Sequence, residues 1–336
     1  MKCIAGYNVR VKEIFISAEA SAWCEQQLSA LGETLVDTKA LRVEASHRSF
    51  YRLQGKAQSF VLMQSPPALE RNEQFVTLAR LFHGHGIGVP EILAIDQCRE
   101  LFLLSDLGEI HLEDLYGTAA EDQALSAAID ILPTLAGITD PAIEPYTTER
   151  LSMELEIFSE WFVEGMLKQK LDASVYQRIC DMLVHSANMQ PEGCVHRDFH
   201  CRNLLFVDGK LGVVDFQDAL HGPILYDIAS LLRDCYFEFK EAEIDRWLAY
   251  FVSKTPLLDD YSPKKVKTWF DWIAIQRQLK AIGIFARLHL RDHKSTHLAH
   301  IPTVLGRLLR LTALYPELEA LNMQLVDCIK HLDALA

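Results

Sequence analysis

The chain has 336 residues, beyond the length at which one core usually stops growing, and its net charge of −13 argues against general nucleic-acid binding, where affinity comes from Lys and Arg on phosphates. Apolar residues at 49% and charged residues at 24% exclude a disordered chain, and no apolar run is long enough to cross a bilayer. Eight Cys without a C-x-x-C pair suit a reducing cytosol, where they serve as small buried hydrophobes.

At the N-terminus, MKCIAGYNVRVKEIF carries Lys12 and Glu13 among its apolar residues and shows no small-residue cleavage pattern. No signal peptide is expected there, and the expected location is the cytoplasm. Residues 17–31 then have helical spacing that stops at Gly32. The period changes in LRVEA, FYRLQ and SFVLMQ, which read as short strands, and Pro66-Pro67 ends the third. ERNEQFVTLARLFHGH is a helix with Phe75, Leu78, Ala79 and Phe82 on one face, and VPEILAID and LFLLSDL are two further strands. Residues 40–107 therefore predict an antiparallel sheet of about five strands interrupted by one helix. GHGIG at 84–88 follows a helix instead of a strand, so it reads as a helix C-cap and turn and not as a dinucleotide fingerprint.

Beyond Gly108 the spacing is helical over 121–137, 149–167, 172–188, 224–236, 241–253, 264–289, 303–314 and 317–333. The exception is CVHRDFHCRNLLFVDGKLGVVDFQD at 194–218, where LLFV and LGVV flank Asp208-Gly209, a two-residue hairpin signal. The expected fold class is α+β, with an N-terminal sheet lobe over 1–107 and a mainly helical lobe over 108–336.

If LLFV and LGVV pair, the ends of the hairpin meet, and Asp198, Asn203 and Asp215 converge although they are far apart in sequence. Phosphoryl transfer needs that set: hard oxygen ligands for Mg²⁺ and an acceptor for the nucleophile's proton. Asn203 and Asp215 are the candidate ligands and Asp198 the candidate base.

HRDFHCRN and VVDFQD resemble the catalytic and metal-binding motifs of the protein-kinase-like fold in its aminoglycoside phosphotransferase branch. The resemblance implies ATP and Mg²⁺ as cofactors, with ATP between the lobes, Asp198 as base, Asn203 and Asp215 on the metal, and His200 near the γ-phosphate. HRDFHCRNLLFV, GVVDFQDALHGPILYDIASLLRDCY, ELEIFSEWF and QRQLKAIGIFARLHLRDHKSTHL further resemble the anomeric amino-sugar kinases of bacterial cell-wall recycling, over about Leu41 to Leu311. These phosphorylate the 1-hydroxyl of N-acetylmuramate and N-acetylglucosamine, and a monomer acting on such a sugar is the expectation. Two departures stand out. The third strand has Met63 or Gln64 where kinases carry a Lys, and the turn ASHRSFYR replaces their Gly-rich loop. Arg48 and Arg52, with the Ser46 and Ser49 hydroxyls, are the nearest substitutes for binding phosphate. LLSDLG makes Ser105 and Leu107 the hinge whose backbone would hold adenine.

On the substrate side, Gln217 and Asp218 follow the metal Asp, and Arg233 and Asp234 lie on the next helix. Glu154 shares a helical face with Ile157, Phe158 and Trp161, so it requires either a core Arg or a ligand group, and Trp161 could stack on a sugar ring. For the carboxylate of a muramate, Arg202, Arg277, Arg287 and Arg291 are open candidates. Trp247, Trp269 and Trp272 could instead cage a cation, which keeps choline or an aminoglycoside as alternative substrates, and the missing Lys keeps a non-catalytic nucleotide-binding scaffold. His289, His293, His297 and His300 run at +4, +4 and +3, but no acid or Cys completes a zinc signature.

Overall fold

The computed structural model describes residues 16–41, 47–207 and 209–334. Residues 42–46, which hold most of the expected first strand and Ser46, lie outside them, as does Asp208. The described residues form two compact units: those up to Val76 with Pro90–Asp106, and Thr77–Val89 with those from Leu107 onward.

In the first unit, α1 (Ala18–Ala30) begins where the Ser17 hydroxyl accepts the Ala20 N–H at 3.2 Å. It stops at Gly32, whose φ of +78° needs no Cβ. The sheet consists of β1 (Asp37–Ala40), β2 (Ser49–Gln54), β3 (Ser59–Gln64), β4 (Ile92–Asp96) and β5 (Leu101–Ser105). Its order is β1-β2-β3-β5-β4 and every pairing is antiparallel. The first strand is DTKA, ahead of the expected LRVEA; all four of its residues are exposed, so no apolar alternation marks it. The inner strands show the period of two that pleating demands. Tyr51 and Leu53, Phe60 and Leu62, and Leu101 and Leu103 share one face and pack on Trp23, Cys24 and Leu28 of α1. Between β3 and β4 runs α2 (Asn72–Gly84), followed by the expected turn, with Gly86 at φ +79°.

In the second unit the helices are α3 (Leu112–Leu115), α4 (Glu121–Asp130), α5 (Leu132–Ala136), α6 (Thr148–Ile157), α7 (Ala173–Asn188), α8 (Tyr226–Leu232), α9 (Glu241–Ser253), α10 (Pro263–Leu290), α11 (Ile301–Thr312) and α12 (Glu319–Asp333). The expected helix over 121–137 is two helices, because Pro133 has no N–H to continue the ladder from α4. The expected helix over 149–167 changes pitch: α6 passes into a π-helical segment, Phe158–Met166. That junction lies against Gly283 of α10, where an added Cβ would stand 2.5 Å from Ile157 C and O and 2.7 Å from Phe158 N.

Two antiparallel ribbons interrupt the helices. β7 (Leu204–Val207) and β8 (Lys210–Val213) form the expected hairpin, with Leu204 opposite Val213. β6 (Glu192–Val195) pairs with β9 (Leu220–Pro223), a strand the sequence did not announce because its LHGP has neither alternation nor β-branching. Among the described residues no helix is long and apolar enough to cross a membrane.

Candidate active site

The β7–β8 hairpin sets the loop 196–203 against the start of VVDFQD. Val214 N–H donates to Asn203 O at 3.0 Å, so Asp215 leaves the hairpin beside Asn203. The Asn203 amide gives its NH₂ to Asp198 O at 2.9 Å and approaches His200 Nε2 at 3.4 Å, so both contacts use the nitrogen and leave Oδ1 as the atom that could ligate a metal. His196 ties the loop to the same strand end: Nε2 lies 3.0 Å from Val214 O, and Nδ1 accepts the Asp198 N–H at 3.2 Å. Burial lowers the His196 pKa, consistent with the neutral tautomer those two bonds require.

Arg197 has φ +76° and Asp215 has φ +65°. Left-handed backbone at a residue with a Cβ costs roughly 1–2 kcal/mol, so surrounding bonds must hold it. For Arg197 the holder is Asp227, a fully buried carboxylate on α8 that accepts the N–H groups of His196 at 2.6 Å and Arg197 at 2.9 Å. Asp234 does the same further along, accepting the Cys201 N–H at 3.0 Å. Asp215 is anchored by its neighbour Phe216, which is fully buried and meets Phe82 edge-on at 5.8 Å.

Behind Asp198 lies a network of buried charge. Glu154 accepts from Arg197 Nη2 and from Lys280 Nζ at 3.0 Å on one oxygen, and from the Tyr146 hydroxyl and Gln276 Nε2 at 3.3 Å on the other. Burial would raise the Asp198 carboxyl, but Lys280, His200, Arg197 and Arg277 hold it down at about 2. Asp198 is therefore a carboxylate at every ordinary pH. Burial, followed by the Asp198 charge, pushes the Asp215 carboxyl up. Burial lowers His200, which is neutral at pH 7.

Several sequence candidates land elsewhere than expected. Glu154, at 6% exposure with four protein partners, is an acid of a buried ion network, the core-Arg outcome of the two that its apolar face left open. Trp161 does not share its face: the wider π turn carries Trp161 to a half-buried position and buries Phe162 and Val163 instead. Arg233 is bound by Asp271 at 2.7 and 3.0 Å and by Glu241 at 2.9 Å on two nitrogens, which makes it a structural cation. Arg48 is buried, its Nε 3.0 Å from Ser65 Oγ and 3.6 Å from Glu70, with Phe75 under the guanidinium. Arg52 forms a two-bond pair with Asp106 at 2.5 and 3.0 Å. Both candidate phosphate cations thus have carboxylate partners within the sheet unit. The Ser105 N–H, one group expected at adenine, is spent on Glu91 O at 2.9 Å, and the Leu107 side chain packs on Gly212. Gln217 stays at the site, its amide donating to Asp215 Oδ1 at 2.8 Å, and Asp218 O accepts from Arg197 at 3.1 Å.

Trp247, Trp269 and Trp272 form no common cage: Arg246 covers the first, Lys265 and Tyr261 the second, and Tyr315 meets the third. The four His do not share a helical face because α10 ends at Leu290 and His293 has φ +56°. Among the described residues no three His, Cys, Asp or Glu groups converge as a metal site. Asn203 Oδ1 and the Asp215 carboxylate nevertheless fit Mg²⁺, which takes one or two protein oxygens and completes its shell with phosphate and water.

Residues 37–262 match the model of a phosphotransferase enzyme family. The chain belongs to that family. It is 36% identical over 286 residues to the N-acetylmuramate/N-acetylglucosamine kinase of Pseudomonas aeruginosa, covering 83% of this chain and 85% of that protein. It is 31% identical over 330 residues to the protein of the same name from Pseudomonas putida, covering 94% and 96%. A choline kinase from Streptococcus pneumoniae superposes with a TM-score of 0.62 over 87% of this chain and 99% of that one; at 12% identity it shares the protein-kinase-like fold alone.

Proposed function

We propose that this phosphotransferase is an ATP-dependent sugar kinase that phosphorylates the anomeric hydroxyl of N-acetylmuramate and N-acetylglucosamine in the cytoplasm. The observation that carries the reading is a permanently ionised Asp198, held by His196 and the Asn203 amide beside Asp215, in a chain 36% identical to a kinase of that name.

In this reading Asp198 accepts a hydrogen bond from the sugar's 1-hydroxyl and aims its oxygen at the γ-phosphorus. A carboxylate held near 2 is too weak a base to ionise the free hydroxyl. The proton therefore moves to Asp198 only as the new P–O bond forms and the β–γ bridge breaks, releasing ADP. The anomeric hydroxyl suits this base because it is the most acidic hydroxyl of the sugar. Mg²⁺ on Asn203 and Asp215 would neutralise charge on the phosphate oxygens. Gln217 keeps the Asp215 carboxylate oriented through its 2.8 Å bond.

The test offers N-acetylmuramate, N-acetylglucosamine, choline and kanamycin with ATP, follows ADP, and identifies the product by phosphorus NMR. A sugar 1-phosphate from the first two is expected. ADP formation with choline or kanamycin alone would replace this reading, and release of ADP with none of the four would remove it.

A further inference from the structure

We propose that Arg277 is the cation that receives the carboxylate of N-acetylmuramate, a proposal that rests on the sugar-kinase reading above. The sequence leaves four arginines open for this role, and the structure separates them. Arg202 gives Nε to Glu113 at 2.8 Å and lies over the Tyr236 ring at 3.8 Å. Arg291 pairs at the surface with its neighbour Asp292 at 2.7 Å. Arg287 has Arg291, Asp292 and Glu160 as its charged neighbours. Arg277 is 6% exposed, and its Nε and Nη1 are buried without a hydrogen-bond partner among the described residues. Arg287 Nε is likewise buried without a hydrogen-bond partner among the described residues, but it is one nitrogen on a half-buried side chain, whereas Arg277 offers two on a buried one.

A buried guanidinium with unmet donors is costly, and a protein retains one where a ligand completes it. Each two-pronged edge of this guanidinium, Nε with Nη2 and Nη1 with Nη2, keeps one donor that no protein group takes. A carboxylate can therefore accept a charge-assisted bond at either edge.

Its placement agrees. On either side along α10, Gln276 reaches Glu154 and Gln278 reaches Arg233 O at 3.0 Å, so the helix is fixed at this level. At about 100° per residue, Lys280 falls about 60° to one side of Arg277 and Phe285 about 80° to the other. Lys280 belongs to the ion network behind Asp198. Phe285 stacks on His297 and joins Tyr236, whose ring meets His200 edge-on at 5.2 Å. Arg277 stands between the two, near enough for its charge to act on both Asp198 and His200. In N-acetylmuramate the carboxylate hangs from the oxygen on C3, two ring carbons from the attacked hydroxyl. A cation for it must stand close to the base without pairing with it. N-acetylglucosamine has a plain hydroxyl at C3, so the two sugars differ at the one point in question.

The experiment compares the wild type with Arg277→Met and Arg277→Lys, measuring kcat/KM for both sugars, their binding by titration calorimetry, and the melting temperature without ligand. Arg277→Met is expected to lower kcat/KM for N-acetylmuramate on the order of 100-fold more than for N-acetylglucosamine, through KM. Arg277→Lys should recover part of that ratio, and the unliganded Arg277→Met protein should melt within about 5 °C of the wild type, since only long-range interactions such as that with Asp198 are lost. An equal loss for the two sugars would assign Arg277 to the phosphoryl group and overturn the proposal. Asp234 also lies near enough for its charge to act on Arg277, so a melting point lowered by more than about 5 °C would make Arg277 a structural counter-ion of that acid and overturn the proposal equally. If the wild type binds N-acetylmuramate but transfers no phosphate, the kinase reading fails while the binding ratio still decides on Arg277. If it binds neither sugar, both fail.

Discussion

Glu154→Gln is the sharpest perturbation of the network that governs Asp198. The change keeps the shape of the side chain and removes its charge. Glu154 is 6% exposed and accepts four bonds, from Arg197, Lys280, Tyr146 and Gln276. An amide can accept only on its oxygen side. Whichever way it is turned, its NH₂ faces two donors, and the Arg197 and Lys280 charges lose the anion that both of them contact. Removing one partner of a buried pair costs roughly 3–5 kcal/mol. At roughly 2–4 °C per kcal/mol for a unit of this size, the melting temperature should fall by roughly 10 °C. Scanning calorimetry reads this directly. Adding Lys280→Met should return part of the loss, because one stranded cation is then removed, with a coupling of roughly 0.5–3 kcal/mol in the double-mutant cycle. A Glu154→Gln protein that melts within about 2 °C of the wild type while its sugar KM rises would refute this reasoning and restore Glu154 as a substrate contact.

Asp198→Asn should cut turnover by roughly 10²–10⁴-fold while ATP binding and cooperative melting survive; near-normal turnover would remove Asp198 as the base. Because the folded carboxyl sits near 2, below its ordinary value of about 3.9, its stabilising contribution is complete above that value and is lost as pH falls toward 2. The stability difference between wild type and Asp198→Asn, from denaturant titrations, should therefore hold level above about pH 5 and close by at most 2–3 kcal/mol, roughly, between pH 4 and 2; a difference independent of pH contradicts the shift. Asp227→Asn leaves one of two buried N–H groups facing an NH₂, and should cost about 1–3 kcal/mol in unfolding experiments and lower kcat; an unchanged kcat would mean the loop holds its shape without that anchor. Asp215→Ala should weaken nucleotide binding in magnesium buffer by roughly tenfold or more in titration calorimetry, and equal affinity would count against the metal role.

The site was legible in the sequence where its geometry is local. The apolar runs around Asp208-Gly209 specify the hairpin, and the hairpin places Asn203 beside Asp215. The five-strand sheet was legible through the alternation of β2 and the short apolar runs of β3 and β5, and failed at DTKA, whose solvent-facing residues carry no period. What the sequence hid is long-range. Asp227 holds backbone groups 30 and 31 residues earlier, and Glu154 reaches Gln276 across 122 positions; a buried acid on a helix reads identically whether its partner is a ligand or a distant arginine. Trp161 was misplaced because a 3.6-residue template assumes α geometry, and the tight approach of Gly283 that accompanies the π turn is encoded more than a hundred residues away. Arg233 had its answer in Asp271, also far along the chain.

The bare backbone at Gly283 bears on more than packing. Lys280, one turn earlier on the same helix, and Arg277, two turns earlier, carry the positive field that keeps Asp198 ionised. A methyl group at 283 would meet main-chain atoms at 2.5 Å, so the two helices would have to separate and both cations would recede with them. The spacing between two main chains would therefore set the field at the carboxylate proposed above as the base, which neither of them carries. Drift at this position between related kinases would retune acid–base behaviour while leaving every reactive side chain in place.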